Sequence, residues 1–268
     1  MDAMTTENLQ VRIDRKVYPA EAPGGGRVAI ADLAFDVPGR QFCCIVGPSG
    51  CGKTTMLNIM AGLDKEAEGR VEFSDGTPLD ATPIGYMFQT PRLLPWLSVR
   101  DNVRIVLGDE EANSGRAERI LEEMQLGDSL DVFPNRLSGG MQRRVALARA
   151  FAIEPRLLLL DEPFVSLDAP VGNRLRSMLL ELWQSRPTTV LFVTHDLREA
   201  IFLGDRILFL SRGPSRVILD VTVDLPRPRN IEDPKVEAFR KSLLEQHNSL
   251  LHGLAEEQAR DRSADDAA

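Results

Sequence analysis

Three short segments of this chain combine residue types and spacings suited to phosphate chemistry. Gly47-Pro48-Ser49-Gly50-Cys51-Gly52-Lys53-Thr54 fits G-x-x-x-x-G-K-S/T, after an apolar strand pattern and before a helical one. Glycines in such a loop let successive N–H groups turn inward around a phosphate, and the helix N-terminus adds positive potential. Lys53 then bridges the β- and γ-phosphates, and the Thr54 hydroxyl, followed by Thr55, can ligate Mg²⁺. A glycine-rich turn with a solvated lysine is the bland alternative. Placement between strand and helix argues against it.

The second segment is Leu157-Leu158-Leu159-Leu160-Asp161-Glu162-Pro163, an apolar strand ending in two carboxylates. Open α/β sheets bind ligands at that carboxyl edge. Asp161 would hold Mg²⁺ through water, and Glu162 would polarise a water for in-line attack on the γ-phosphate. Alone, paired acids after a strand are more often helix caps or solvated groups; an upstream phosphate loop reverses that weighting. The third segment, Leu137-Ser138-Gly139-Gly140-Met141-Gln142, opens a helical pattern. Ser138 is a natural N-cap there, and the glycines leave N–H donors for an anion. For this hexapeptide by itself, a simple capped helix is the better reading. Two phosphate-grade helix starts on one chain are the informative fact.

Buried strands are expected at Phe42–Val46, Leu157–Leu160, Thr188–Thr194, Arg206–Leu210 and Val217–Val223. Such apolar runs suit strands covered on both faces, as in a parallel sheet. Between them, Lys53–Ala61 is apolar nearly all round and predicts a buried helix. Met141–Ala152 gathers Met141, Val145, Ala148 and Ala152, and Asp196 can cap a helix ending at Gly204. Strands alternating with helices mean α/β. Gln89–Phe151 reads as helices without strands, an insertion into that core. Pro19, Pro23 and Gly24–Gly26 read as a turn between two early strands. After Asp224, DLPRPRN breaks regular structure before an amphipathic helix over about Pro234–Leu254 and a frayed tail.

The chain has 268 residues, 43% hydrophobic and 27% charged, enough to bury a large core. A net charge of −8 argues against broad nucleic-acid binding, which needs Lys and Arg against phosphates. No apolar run approaches the roughly 18 residues of a membrane span, and the polar start MDAMTTENLQ is not expected to be a secretory signal. Three cysteines, two adjacent, make neither a disulfide framework nor a zinc site, which fits a reducing cytosol. Cys51 reads as a small filler, although a helix N-terminus can lower a thiol pKa.

Taken in order, the motifs resemble the nucleotide-binding subunit of ATP-binding cassette (ABC) transporters over about residues 8–225, with a helical subdomain near 90–152 and an extension at 226–268. The carriers are the phosphate loop 47–54, Gln89 in Tyr86-Met87-Phe88-Gln89, the signature 137–142, Asp161-Glu162, Ser166-Leu167-Asp168, and His195 in Val193-Thr194-His195-Asp196. The resemblance implies a P-loop NTPase core with a mainly parallel sheet, an N-terminal antiparallel β subdomain and the inserted helices. It implies ATP and Mg²⁺ as ligands, with Thr54, Gln89 and Asp161 around the metal. It further implies a head-to-tail dimer in which Ser138, Gly139 and Gly140 close on the partner's ATP and Asp168 reaches across. His195 would hold the γ-phosphate.

An aromatic before the core stacks on adenine in this family; Tyr18 is the candidate, with simple packing as the even alternative. RLLPW (Arg92–Trp96) and DLPRPR (Asp224–Arg229) resemble importers of nitrate, sulfonates and taurine. Val171-Gly172-Asn173-Arg174 departs from the family's usual Thr-Arg after Asp168. The Leu93–Leu97 patch is either core or a docking site for a transmembrane subunit. The implied setting is the cytoplasmic face of the cell membrane, with permease subunits, a second ATP-binding subunit and, indirectly, a periplasmic or extracellular solute-binding protein. A non-transport ABC ATPase of DNA repair or translation is the rival. It would usually carry two cassettes or a long coiled coil. A P-loop kinase would have no use for LSGGMQ.

Overall fold

Alternation of apolar and polar residues opens the chain: in β1 (Leu9–Pro19), Leu9, Val11 and Ile13 are buried and Gln10 and Arg12 exposed. That half-covered pattern suits an antiparallel sheet. β1 pairs antiparallel with β2 (Gly26–Val37) and β4 (Ala67–Phe73), in the order β2-β1-β4. The computed structural model describes residues 7–19 and 26–247. Pro23, Gly24 and Gly25 of the expected turn lie outside the described residues; Pro19 and Gly26 pair with each other at the strand ends.

The chain divides into two compact units, one made of the segments up to Asp80 and from Thr189 onward, the other Ala81–Thr188. In the first, β3 (Phe42–Val46) is fully buried and runs parallel to β7 (Thr189–Thr194) and β8 (Arg206–Leu210). β9 (Val217–Thr222) corrects the sequence expectation. It is antiparallel to β8 and only partly covered, because Asp220 and Thr222 break its apolar run. The helices of this unit are α1 (Lys53–Met60), α7 (Leu197–Leu203) and α8 (Pro234–Gln246). α1 is not buried all round: Thr54 is exposed, and Met56, Leu57 and Met60 carry the core face. The expected helix end beyond residue 247 lies outside the described residues.

The second unit holds a parallel pair, β5 (Ile84–Met87) and β6 (Leu157–Asp161), of which β5 is too short to signal itself in sequence. Between them run α2 (Val99–Arg104), α3 (Asp109–Ala112), α4 (Arg116–Glu123) and α5 (Gly139–Ala152), with no strand. α6 (Ala169–Ser185) follows β6. In α5, Val145, Ala148 and Ala152 are buried while Met141 is only half-buried.

β5 approaches α5 so closely that a Cβ on Gly85 would lie 2.4 Å from the Ala150 carbonyl oxygen and 2.9 Å from a Leu158 methyl. The carbonyl is helix backbone and cannot move aside, and the methyl belongs to a fully buried leucine. Gly85→Ala should therefore cost about 2 kcal/mol or more of stability. A denaturant midpoint equal to wild type would mean that β5 can shift off α5 freely.

Candidate functional site

In the first unit, the phosphate loop is shaped by its backbone. Gly50 and Gly52 have φ of 71° and 115°, in the left-handed region that favours glycine, and Gly52 is the N-cap of α1. No side-chain hydrogen bond caps that helix, and a helix N-terminus of this kind favours an anion. Gly47 and Pro48 are buried, whereas Ser49, Gly50 and Thr54 are exposed and Thr55 is half-buried. Lys53 is only 5% exposed; its ammonium donates to the Gly47 and Pro48 carbonyls at 2.7 and 3.1 Å, which threads it through the loop. Cys51 is buried under Gly47, in keeping with a packing role.

Two residues far away in sequence hold this loop, and the motif does not reveal them. The fully buried Ser215 hydroxyl donates to the Cys51 carbonyl, and its oxygen lies 2.6 Å from where a Gly52 Cβ would be. Arg27 of β2 donates to the Gly50 carbonyl at 3.0 Å.

Tyr18 is tied to α1 and is not a core residue. It is 38% exposed, with its hydroxyl 3.2 Å from Thr55 Oγ1 and donating to Asp64 at 3.3 Å. The Lys16 ammonium lies 4.9 Å from the ring centroid and is itself paired with Asp64 at 2.7 Å. Val46 and Thr194 are register partners of β3 and β7, so Gly47 and His195 leave the sheet side by side at its carboxyl edge. Beyond His195, the Thr194 hydroxyl donates to buried Glu199 at 2.5 Å and accepts from the Asp196 amide at 3.0 Å.

The second unit gathers the other candidates around one guanidinium. Met87 of β5 pairs with Leu160 of β6, so Gln89 and Asp161 also leave their strands at a common edge. Arg143 of α5, 9% exposed, donates to the Gln89 carbonyl at 3.0 Å, to Val165 at 2.7 Å and to Pro163. Burial pushes its pKa down. The Gln89 side chain is exposed; behind it Tyr86 stacks on Phe88 and Arg92 covers the Phe88 ring at 4.0 Å. Asp161 is 4% exposed, and Glu162 sits at φ 43°, a strained value for a residue that carries a side chain.

At the start of α5, Ser138 accepts from the Met141 amide at 3.3 Å, as an N-cap does. Ser138 and Gly139 are exposed, while Gly140 is buried with Val171 Cγ1 2.8 Å from a would-be Cβ. Asp168 is exposed and caps α6 through the Val171 amide at 2.9 Å, so the signature and the start of α6 are neighbours. Trp96 is 70% exposed, which rules out the core alternative for it.

The profile of the ABC transporter family matches residues 30–165. The chain belongs to the ABC transporter family. It is an ATP-binding cassette ATPase. An aliphatic sulfonates import ATP-binding protein of Burkholderia cenocepacia is 44% identical over 239 residues, 88% of this chain and 86% of that protein. The aliphatic sulfonates import ATP-binding protein of Bacillus subtilis is 36% identical, covering 88% and 92%. The nitrate import ATP-binding protein of Synechococcus elongatus is 38% identical, covering 86% and 88%. Among solved structures, the dimeric ATP-binding cassette MJ0796 in a post-hydrolysis state with ADP and Pi superposes with a TM-score of 0.70. It has 31% identity and covers 81% of this chain and all of that one.

The loop geometry makes Gly52 irreplaceable on two grounds, its φ and the Ser215 hydroxyl behind it. Gly52→Ala should weaken ATP binding at least tenfold and lower stability by about 1–3 kcal/mol. Fluorescent-nucleotide titration and thermal unfolding measure both, and unchanged nucleotide affinity would remove the loop from phosphate binding.

Proposed function

We propose that this chain is the ATP-hydrolysing subunit of an importer for a small sulfonate, nitrate or similar anion. It would work as a dimer of ATP-binding subunits under separate transmembrane permeases at the cytoplasmic face of the membrane. A solute-binding protein outside the membrane would deliver the cargo. The import roles named for relatives over most of their length support transport over DNA repair or translation. Among the described residues, no helix is long and apolar enough to cross a membrane, so on this reading the passage belongs to partners.

The carrying observation is the start of α5. Its capped N-terminus presents Ser138 and Gly139 to solvent as a second anion-binding helix start, beside the α6 start capped by Asp168. A surface of that kind suits the γ-phosphate of ATP held by a partner copy, and the dimeric state of the similar cassette bound to ADP and Pi supports a dimer here.

In the proposed reaction, Lys53 and the loop amides hold the β- and γ-phosphates. Glu162 accepts a proton from the attacking water as its oxygen bonds to the γ-phosphorus. The bond from that phosphorus to the β,γ-bridging oxygen breaks, and ADP leaves. His195 holds the γ-phosphate oxygens throughout. Mg²⁺ would neutralise charge on the β- and γ-oxygens. Thr54, Gln89 and Asp161 fit it in chemistry, supplying a hydroxyl, an amide and a carboxylate oxygen. The described residues hold no cluster of three or more His, Cys, Asp or Glu, and Mg²⁺ on a triphosphate needs only one or two protein ligands.

Glu162→Gln keeps shape but removes the base. It should bind ATP and lower turnover by on the order of 10² or more. With MgATP it should also accumulate as a dimer by size exclusion. Adding Gly139→Asp, at an exposed position with open space for a side chain, should abolish that dimer, because a carboxylate would meet the partner's phosphate. A dimer that persists in the double variant would contradict action in trans.

The segment bearing Trp96 is pinned from below. Arg149 donates to the Pro91 and Arg92 carbonyls at 2.9 and 3.1 Å. The fully buried Asn102 binds Leu94, Leu97 and Ser98 backbone groups at 2.8–3.1 Å. A rigid loop that exposes an indole suits docking of a permease. Trp96→Ala should leave basal ATPase activity and melting temperature near wild type while costing about 2 kcal/mol of permease association. Undiminished co-purification with the permease would assign the indole another purpose.

A further inference from the structure

The DLPRPRN segment and the helix after it have no part in the reaction described above, yet they are built onto the element that carries His195. α7 begins two residues after His195, with the intervening Asp196 as its N-cap accepting from the Arg198 and Glu199 amides at 2.8 and 3.5 Å. The carbonyls at the end of a helix lack partners within it. Here a guanidinium from beyond residue 225 takes them. Arg229 Nη1 donates to the Ile201 and Gly204 carbonyls at 2.7 and 2.6 Å. Its Nη2 and Nε both donate to the Leu225 carbonyl, at 2.7 and 3.0 Å. Arg227 donates to the Leu203 carbonyl and to Asp205.

At the other end of α7, Arg198 reaches Glu237 of α8 with Nε at 2.9 Å and Nη2 at 2.7 Å. Arg240 grips the same carboxylate at 3.0 and 2.7 Å. Asp233 caps α8 on the Lys235 amide, and Val236 and Leu243 are its buried anchors. We infer that Arg229 and Glu237 are positioning residues of ATP hydrolysis, pinning the two ends of α7 and so fixing the backbone from which His195 projects. The inference rests on the reading of His195 as the γ-phosphate ligand.

The chemistry of the two pins suits a permanent fixture. Arg229 has a pKa pushed down to about 10, by burial first and by neighbouring Arg227 second, so it stays cationic at neutral pH. A cation at a helix C-terminus is also favoured by the helix dipole. Glu237 is held at about 2 by its bonds to Arg240 and Arg198. A carboxylate with a lowered folded-state pKa stabilises above its ordinary range, and that contribution is lost only as pH falls towards 2. Arg229 acts through a planar fork that contacts several carbonyls at once, a geometry that a lysine ammonium cannot copy.

The test is steady-state ATPase activity of the full chain against ATP concentration, for Arg229→Lys, Glu237→Gln, His195→Ala and the doubles with His195→Ala. A sub-ångström to one-ångström displacement of His195 should lower kcat roughly tenfold in each single variant while KM for ATP stays within about twofold. Neither change should lower kcat further in the His195→Ala background. Amide exchange across residues 197–203 should quicken in Arg229→Lys, with α1 unchanged. Wild-type kcat in both single variants would overturn the inference, as would losses that multiply with His195→Ala or that track a common fall in melting temperature. His195→Ala turning over normally would instead overturn the reading of His195 and the inference with it. A slow His195→Ala beside normal Arg229 and Glu237 variants overturns the inference alone.

Discussion

A buried guanidinium with carbonyl partners organises half of the site. Arg143 donates to Gln89, Pro163 and Val165, three carbonyls from segments on either side of α5 in sequence. Desolvating a charge is costly, and charge-assisted hydrogen bonds to several fixed dipoles offset that cost. The arrangement is therefore close to all-or-none. If one carbonyl moves away, the cation loses part of what makes its burial tolerable. Arg143 lies one turn into the helix that Ser138 caps, so the signature, Gln89 and the segment after Glu162 behave as one rigid piece. The strained φ of Glu162 persists for the same reason: Pro163 and Val165, just beyond it, are anchored from α5.

The same device recurs wherever a functional loop must keep a shape that its own sequence does not enforce. Arg27 and Ser215 fasten carbonyls of the phosphate loop, and Arg149 and Asn102 fasten the loop that exposes Trp96. Arg27, Arg149 and Asn102 are side chains of regular elements satisfying backbone groups of irregular ones, and Ser215 does the same from the connection between β8 and β9. This meets the requirement that buried polar backbone groups be paired. It also divides the labour. Glycines allow the loop conformation, and distant donors select it from the alternatives that glycine would permit.

The parts legible in the sequence were those whose signals are local. The phosphate loop between β3 and α1, the Ser138 cap of α5, the Asp196–Gly204 limits of α7 and the apolar β6 all follow from residues within a few positions of one another. β4 escaped because Ala67–Phe73 is mostly polar and buries only Phe73 well. β5 escaped because four residues cannot establish a period. β9 reads as a strand covered on both faces because Val217, Ile218 and Leu219 dominate its first half, although Asp220 and Thr222 mark it as partly exposed. Arg27, Arg143, Ser215 and Arg229 escaped for a different reason. Their work is done on carbonyls, and a carbonyl has no residue identity for a motif to record.

Helix termini supply the final step of synthesis. α1 starts from a loop threaded by its own lysine, with the Lys53 ammonium bonded to the Gly47 and Pro48 carbonyls. α5 has a cap and exposed glycine but no cation drawn into its first turn, only Arg143 one turn deeper and bonded elsewhere. An anion at α1 therefore meets both a helix dipole and a buried charge, whereas one at α5 meets the dipole and backbone donors alone. The first is suited to holding an anion tightly, the second to a weaker contact. A helix dipole contributes on the order of 1 kcal/mol at an exposed end, and more once water is excluded. If the α5 start closes on a partner's γ-phosphate, its hold is strongest in the closed dimer and fades when phosphate leaves. The difference between the two helix starts thus supplies a physical reason for closure to depend on an intact triphosphate.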